Sequence, residues 1–177
     1  MIGPPAVSDL RLREATVDDA AALVEIYRPF VTDTAVSFEA EVPSVAEFAE
    51  RIRKALAGWA FVVAEEAGQR VGYAYGTSHR ARHAYRWSVE TSVYLDPAHQ
   101  GRGLGKRLYA RLLDDLAARG FCNAYAGIAL PNEASVALHR SVGFVAIGIF
   151  PRVGWKLGSW HDVSWWHRSL RDGPPDE

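Results

Sequence analysis

Ser92-Val93-Tyr94-Leu95-Asp96-Pro97-Ala98-His99-Gln100-Gly101-Arg102-Gly103-Leu104-Gly105-Lys106-Arg107-Leu108 decides the fold of this chain. A strand-like run ends at a proline turn, and a glycine-rich basic loop follows. The loop opens directly into a segment with Leu104, Leu108, Leu112, Leu113 and Leu116 at helical spacing. Glycines let backbone amides crowd around an anion, and the first turn of a helix adds a partial positive charge there. Arg102, Lys106 and Arg107 add full charges. The arrangement predicts a diphosphate cradle. Two common phosphate motifs fail on it. A Walker A loop needs Ser or Thr after Gly105-Lys106 and Gly at position 100, where the chain has Arg107 and Gln100. A G-x-G-x-x-G fingerprint starting at Gly101 needs Gly at 106, which is Lys.

Outward from this loop the chain reads as one domain, residues 1–171, with a short polar tail, 172–177, expected to be flexible. Its 177 residues are 49% hydrophobic and 23% charged, ordinary values for a globular protein with a real core. A net charge of −1 gives no global attraction to nucleic acid or to an anionic membrane. No apolar run approaches the roughly 20 residues of a spanning helix, and Met1–Asp9 lacks the features of a signal peptide. The single Cys122 excludes an internal disulfide and fits a reducing compartment, so cytoplasm is the expected location.

Alternation and cap signals give the element order. Leu10 to Arg13 alternates as a strand. Thr16 with Asp18 and Asp19 marks a helix start, and Ser44-x-x-Glu47 is a capping box opening a second helix that Gly58 stops. Two strands flank the turn at Ala67-Gly68-Gln69, and a third runs from Trp87 to Leu95. After the long helix come a strand over 121–130, a helix capped by Asn132 and stopped by Gly143, and two last strands near 144–150 and 159–166. Strand, two helices, three strands, helix, strand, helix, two strands predicts an α/β fold, a mixed twisted sheet with helices on its faces.

The spacing Gln100-x-x-Gly103-x-Gly105 resembles the [R/Q]-x-x-G-x-[G/A] signature of the GCN5-related N-acetyltransferases (GNAT superfamily). Separate blocks, in order, narrow the resemblance. Thr34–Glu39, Ala84–Glu90, Leu130–Ser135, Leu138–Phe144 and Trp160–Val163 are similar to the phosphinothricin/methionine sulfoximine N-acetyltransferases. The resemblance covers about residues 10–170. It implies a GNAT acyltransferase fold with two central strands splayed to admit acetyl-CoA. It also implies a homodimer, and acetyl transfer to the α-amino group of a small acidic amino-acid analogue in a ternary complex.

The same resemblance implies roles for single residues. Backbone groups of Val93, Tyr94 and Leu95 pair with the cofactor arm, and one of these amides polarises the thioester carbonyl. The loop of Gln100, Gly101, Arg102, Gly103, Leu104, Gly105 and Lys106 takes the pyrophosphate. Asn132 and Ser141 contact the cofactor from the following helix. Glu90 stands at the family's catalytic glutamate, and His139 falls where many relatives place a tyrosine that serves the leaving thiolate. A near-neutral imidazole suits donor or base there, so the division of labour between Glu90 and His139 stays open. Arg80 and Arg82, alternating on a segment read as extended, anchor the substrate's acid group, with Phe38 lining the pocket, either of its own chain or across the dimer interface that the family suggests. In Gly154-Trp155-Lys156-Leu157-Gly158 the chain departs from a family Gly-Phe-Lys-His-Gly block at Trp155 and Leu157, which bears on the acceptor more than on the reaction.

Two other readings stand beside this one: an acetyltransferase for a different small amine, and a CoA-binding module without turnover. The basic Arg80/Arg82 segment disfavours polycationic acceptors. His79 and His83 have the i,i+4 spacing of metal ligands on a helix, but Arg80 and Arg82 would repel a cation, so no metal is expected.

Overall fold

The computed structural model describes residues 10–173 and Pro175. Met1–Asp9, whose composition bears on targeting, and Pro174, Asp176 and Glu177 of the tail lie outside them. The chain forms β1 (Leu10–Glu14), α1 (Ala20–Thr32), α2 (Val45–Gly58), β2 (Phe61–Glu66), β3 (Gln69–Ser78), β4 (Ser88–Leu95), α3 (Leu104–Ala118), β5 (Asn123–Ala129), α4 (Glu133–Ser141), β6 (Val145–Lys156) and β7 (Ser159–Ser169). This is the predicted order. The strands make one seven-stranded sheet, β1-β2-β3-β4-β5-β7-β6, in which only β4 and β5 run parallel.

Period-two alternation sends each central strand into two cores. Val62, Ala64, Ala74 and Val89 meet Leu104, Leu108, Leu112, Leu113 and Leu116 of α3 on one face. Phe61, Val63 and Tyr73 meet Leu23, Val24, Phe48 and Ile52 of α1 and α2 on the other. Leu108, Leu112 and Leu116 are fully buried, each worth about 1.5–3 kcal/mol over an exposed leucine. The stripe read from the sequence is therefore the anchor of α3 and of the glycine loop in front of it.

Local caps explain most boundaries. Ser44 and Glu47 satisfy each other's backbone amides, Ser44 N–H to Glu47 Oε2 at 2.7 Å and Glu47 N–H to Ser44 Oγ at 3.2 Å. Thr16 is the N-cap of the helical start, as predicted, and Asp19 is its partner in a capping box. Val17–Asp19 is a turn of 3₁₀ helix, and the Asp19 carboxylate accepts the Thr16 N–H at 2.8 Å, with the Thr16 hydroxyl also donating to it. Helix α1 also runs past Pro29, which lacks the N–H of an ordinary intrahelical bond and leaves one gap in the ladder. The last two strands are longer than expected, and residues 151–156 are strand rather than turn; only Leu157-Gly158, both at positive φ, make the reversal. β6 is the sheet's outer edge and carries Val145, Ile147, Ile149, Val153 and Trp155 exposed.

Among the described residues no helix is long and apolar enough to cross a membrane.

Candidate active site

β4 and β5 pair only over Ser88–Glu90 against Asn123–Tyr125. Beyond Glu90 the two strands part, Thr91–Leu95 on one side and Ala126–Ala129 on the other, and the parting opens a cleft in the sheet. Its inner end is lined by Val36, Thr91, Ser92, Val93, Tyr94, Gly127, Ile128, Asn132, Ser135 and His139. It continues into a groove of about 610 Å³ lined by Val93, Leu95, Gln100, Gly101, Gly103, Leu104, Gly105, Lys106, Asn132, Leu138 and Ser141. That volume suits a ligand of cofactor size.

The groove's outer end is built by local geometry. Asp96 Oδ1 accepts the Ala98 N–H at 2.9 Å and turns the chain after β4. Gly103 takes φ +76°, a left-handed conformation that glycine adopts without steric cost, and a Cβ there would meet no protein atom within 4 Å. Gly105 has the opposite constraint, since a Cβ would lie 3.1 Å from Leu138 of α4. The two glycines bring the first turn of α3 against the groove with its amides free to hold an anion. Lys106 adds its charge beside them. Arg102 does not line this groove. Its guanidinium forks onto Glu66 at 3.0 Å from each oxygen, because Glu66 ends β2 directly opposite.

Within the cleft, Val93 and Leu95 line the groove, whereas the Tyr94 ring is turned into the α1/α2 core against Tyr27 and Phe30, leaving its backbone to the cleft. Asn132 caps α4 by accepting the Ser135 N–H at 3.1 Å, and it borders the cleft at the same time. The Ser141 hydroxyl donates to the Leu138 carbonyl at 2.7 Å.

Glu90 is the last paired residue before the split. Its Oε1 takes both neighbours, Arg80 at 3.0 Å and His79 Nδ1 at 3.0 Å, and His79 is held by stacking on Tyr125 at 4.5 Å. The chain after β3 is a bend, not the extended segment predicted, and Arg80 and Arg82 both line one surface pocket beside Trp59 and Tyr85. Arg80 folds back onto Glu90 and over the Trp165 ring at 5.9 Å, and Arg82 is exposed. Phe38 leans on Gly154 and stands 6.2 Å from His161, while Val36, not singled out in the sequence, faces the cleft of its own chain. Lys156 donates to the Ser37 carbonyl and ties this loop to the β6–β7 hairpin.

His139 is 4% exposed on α4. Its Nδ1 lies 2.7 Å from the Ser135 carbonyl, and its Nε2 lies 3.0 Å from the Tyr109 hydroxyl. Burial pushes the imidazole below its usual value, and the Ser135 carbonyl opposes this. Tyr109 in turn meets Thr91 Oγ1 at 2.7 Å. Adjacent residues of a strand face opposite ways, so Glu90 and the Thr91–Tyr109–His139 chain approach the split from the two faces of the sheet. Tyr109 and Thr91 had no sequence signal beyond a tyrosine within an apolar helix stripe, which implies a buried partner for its hydroxyl. Among the described residues no group of three or more His, Cys, Asp or Glu could hold a metal ion.

Comparison with known proteins agrees with this geometry. The family described as the acetyltransferase (GNAT) domain matches residues 12–165. A phosphinothricin N-acetyltransferase of Streptomyces viridochromogenes is 37% identical over 97% of this chain and 94% of its own. An L-methionine sulfoximine/L-methionine sulfone acetyltransferase of Salmonella typhimurium is 38% identical over 91% of this chain and 95% of its own. The crystal structure of a GNAT superfamily phosphinothricin acetyltransferase from Sinorhizobium meliloti, in complex with acetyl-CoA, superposes with a TM-score of 0.91 at 38% identity, covering 95% of this chain and 94% of that one. A parallel strand pair split beyond Glu90, a glycine-rich helix start at its mouth and a family match over most of the sequence have one explanation: this chain belongs to the GNAT acetyltransferase family.

Proposed function

We propose that this protein moves an acetyl group from acetyl-CoA to the α-amino group of a small acidic amino-acid analogue of the phosphinothricin, methionine sulfoximine or methionine sulfone type. The observation that carries the reading is the continuous cleft from His139 to the N-terminus of α3. Its open end suits a diphosphate, and its inner end exposes the unpaired side of β4, whose Val93–Leu95 backbone can pair with an amide-containing arm like an added strand. An amide of that stretch polarises the thioester carbonyl. Gln100–Lys106 hold the pyrophosphate, Arg102 through its backbone, and Asn132 and Ser141 border the arm. Glu90 Oε2, the oxygen that Arg80 and His79 leave open, takes the proton of the incoming ammonium, directly or through water. With Arg80 engaged by Glu90, the acid group of the acceptor falls to Arg82 and to whatever Arg80 can share.

The working form is a cytoplasmic homodimer. The exposed apolar side chains of edge strand β6, among them Ile147, Ile149 and Trp155, support a second copy packed there, since an apolar sheet edge left to water is an association surface. Phe38 packs on Gly154 and Lys156 bonds the Ser37 carbonyl beside that edge, which supports an acceptor pocket completed near the dimer contact.

The test is release of free CoA thiol from acetyl-CoA. Saturable release is expected with phosphinothricin, methionine sulfoximine and methionine sulfone, and none with a polyamine or an aminoglycoside. Release with the other amines alone would keep the reaction and discard the acceptor. Binding of acetyl-CoA without release over the whole panel would favour a CoA-binding module. Gly103→Val places a branched side chain at positive φ at the mouth of the groove. It is expected to weaken acetyl-CoA binding by about 10- to 100-fold, the loss of one or two charge-assisted bonds of about 1.5–3 kcal/mol, as read by calorimetry.

A further inference from the structure

We propose that His139 exchanges protons with the cleft through Tyr109 and Thr91, in a hydrogen-bond chain that reverses its direction when the ring is charged. Both ring nitrogens are already engaged, Nδ1 by the Ser135 carbonyl at 2.7 Å and Nε2 by the Tyr109 hydroxyl at 3.0 Å. A ring so held, and 4% exposed, has no free nitrogen to offer a reacting group. A carbonyl can only accept, so Nδ1 carries a proton, and in the neutral ring Nε2 accepts. The chain then runs Thr91 O–H to Tyr109, and Tyr109 O–H to Nε2, the first link being 2.7 Å. Thr91 and His139 both border the inner cleft, and Tyr109, fully buried, joins them.

The far end of the chain makes the reversal possible. Thr91 Oγ1 also lies 3.2 Å from the Tyr125 carbonyl. With His139 protonated, Nε2–H donates to Tyr109, Tyr109 to Thr91, and Thr91 to that carbonyl, so every hydrogen has an acceptor in both states. Tyr109 of α3 is the titratable side chain that faces the ring. From the ring's own side come Ser135 and the Phe144 ring at 5.3 Å, from β4 Thr91, and from β5 only the Tyr125 carbonyl. No ion pair reaches His139 among the described residues.

The proton balance closes without a further acid or base. Resting on the acetyl-transfer reading above, the N–H bond of the adduct's ammonium breaks as an O–H bond forms on Thr91. Thr91's own proton passes to Tyr109 and Tyr109's passes to Nε2, and the ring gains the charge. As the C–S bond breaks, its electron pair stays on sulfur. Reversal of the chain then delivers the proton to that sulfur and restores the neutral ring. Thr91, which exchanges the proton with the reacting atoms, is the catalytic residue in this account, and Tyr109, which acts through it, is a positioning residue; neither is asked to keep a charge.

Two measurements test the chain, and only the second depends on the acetyl-transfer reading. Nitrogen-15 NMR of the His139 ring is expected to show the Nδ1–H tautomer in the native protein. Tyr109→Phe removes the acceptor of the charged ring's Nε2–H, and Thr91→Val removes the acceptor behind it, so both are expected to move the ring's titration to lower pH; Thr91→Ser is expected to leave it in place. In the thiol-release assay, Thr91→Val and Tyr109→Phe are expected to lower kcat by roughly 10²-fold, the low end of proton-transfer catalysis, with KM for acetyl-CoA within about twofold and the acid limb of the pH profile moved down. Thr91→Ser is expected to restore both. An Nε2–H tautomer, a titration unmoved in Tyr109→Phe and Thr91→Val, or a Thr91→Ser enzyme as slow as Thr91→Val would overturn the proposal. Absence of turnover in the native protein would remove the acetyl-transfer reading while the NMR result still decides the chain.

Discussion

Glu90→Gln is expected to lower kcat by about 10²- to 10⁴-fold, the range of positioned general base catalysis, with acetyl-CoA affinity unchanged. The geometry makes this substitution unusually clean. Arg80 and His79 both bind Oε1, and an amide oxygen in the same place can still accept from them. What the glutamine loses is the second oxygen and its basicity. Glu90 also lies off the groove that α3 opens, so the cofactor's binding residues are untouched. Steady-state kinetics beside calorimetric titration with acetyl-CoA separates the two effects. Equal losses in turnover and cofactor affinity would show that Glu90 supports the cleft and is not its base. Arg80→Ala makes a poorer probe of the substrate anchor, because it also frees the Glu90 carboxylate.

The second large effect concerns stability. Asp19→Ala is expected to destabilise the fold by about 3–5 kcal/mol, the cost of breaking a buried ion pair from one side, out of a total of about 5–15 kcal/mol for an ordinary domain. The Asp19 side chain is fully buried. It takes both nitrogens of the Arg13 fork at 2.7 and 2.8 Å, Arg70 at 2.8 Å and the Thr16 amide at 2.8 Å. Alanine would leave Arg70 without its carboxylate and Arg13 with Glu65 alone. Burial raises the Asp19 carboxyl, but Arg13, the Thr16 amide and Arg70 outweigh it and hold it far below the usual carboxylate range. A depressed folded-state value means the contribution is complete above the ordinary carboxylate range and fades as pH falls below it. Urea unfolding at neutral pH and at pH 3 is the measurement. The native protein should lose stability on acidification more steeply than Asp19→Ala, and a neutral-pH difference below about 1 kcal/mol would place this cluster with ordinary surface pairs.

Most of the architecture is legible in the sequence. Element order came from alternation, capping residues and glycine stops, all of which act within a few residues of chain. The Ser44–Glu47 box, the α3 leucine stripe and the Asn132 cap are such signals. The anion-binding helix start was equally local, since Gly103, Gly105 and Lys106 carry it by spacing alone. The site was legible in identity and only partly in arrangement. Spacing alone makes Arg80 and Arg82 an extended pair, but the chain bends there and Arg80 turns to Glu90. Within one chain Val36 faces the cleft and Phe38 packs on Gly154, a division of the loop that no local spacing signals. Thr16 caps the helical start as its position implies, but no local signal shows that the Asp19 carboxylate holding its amide also answers to two arginines from β1 and β3.

By itself, then, the sequence determined what each segment is: strand, helix, turn or anion-binding start, because those choices rest on near neighbours along the chain. Only the tertiary structure decided which side chains share a site. The β4–β5 parting beyond Glu90, the fork of Arg102 on Glu66 and the Thr91–Tyr109–His139 chain join residues tens of positions apart. A hydroxyl, a guanidinium or an imidazole has several partners of equal chemistry available, and packing of the sheet against α3 and α4 selects among them.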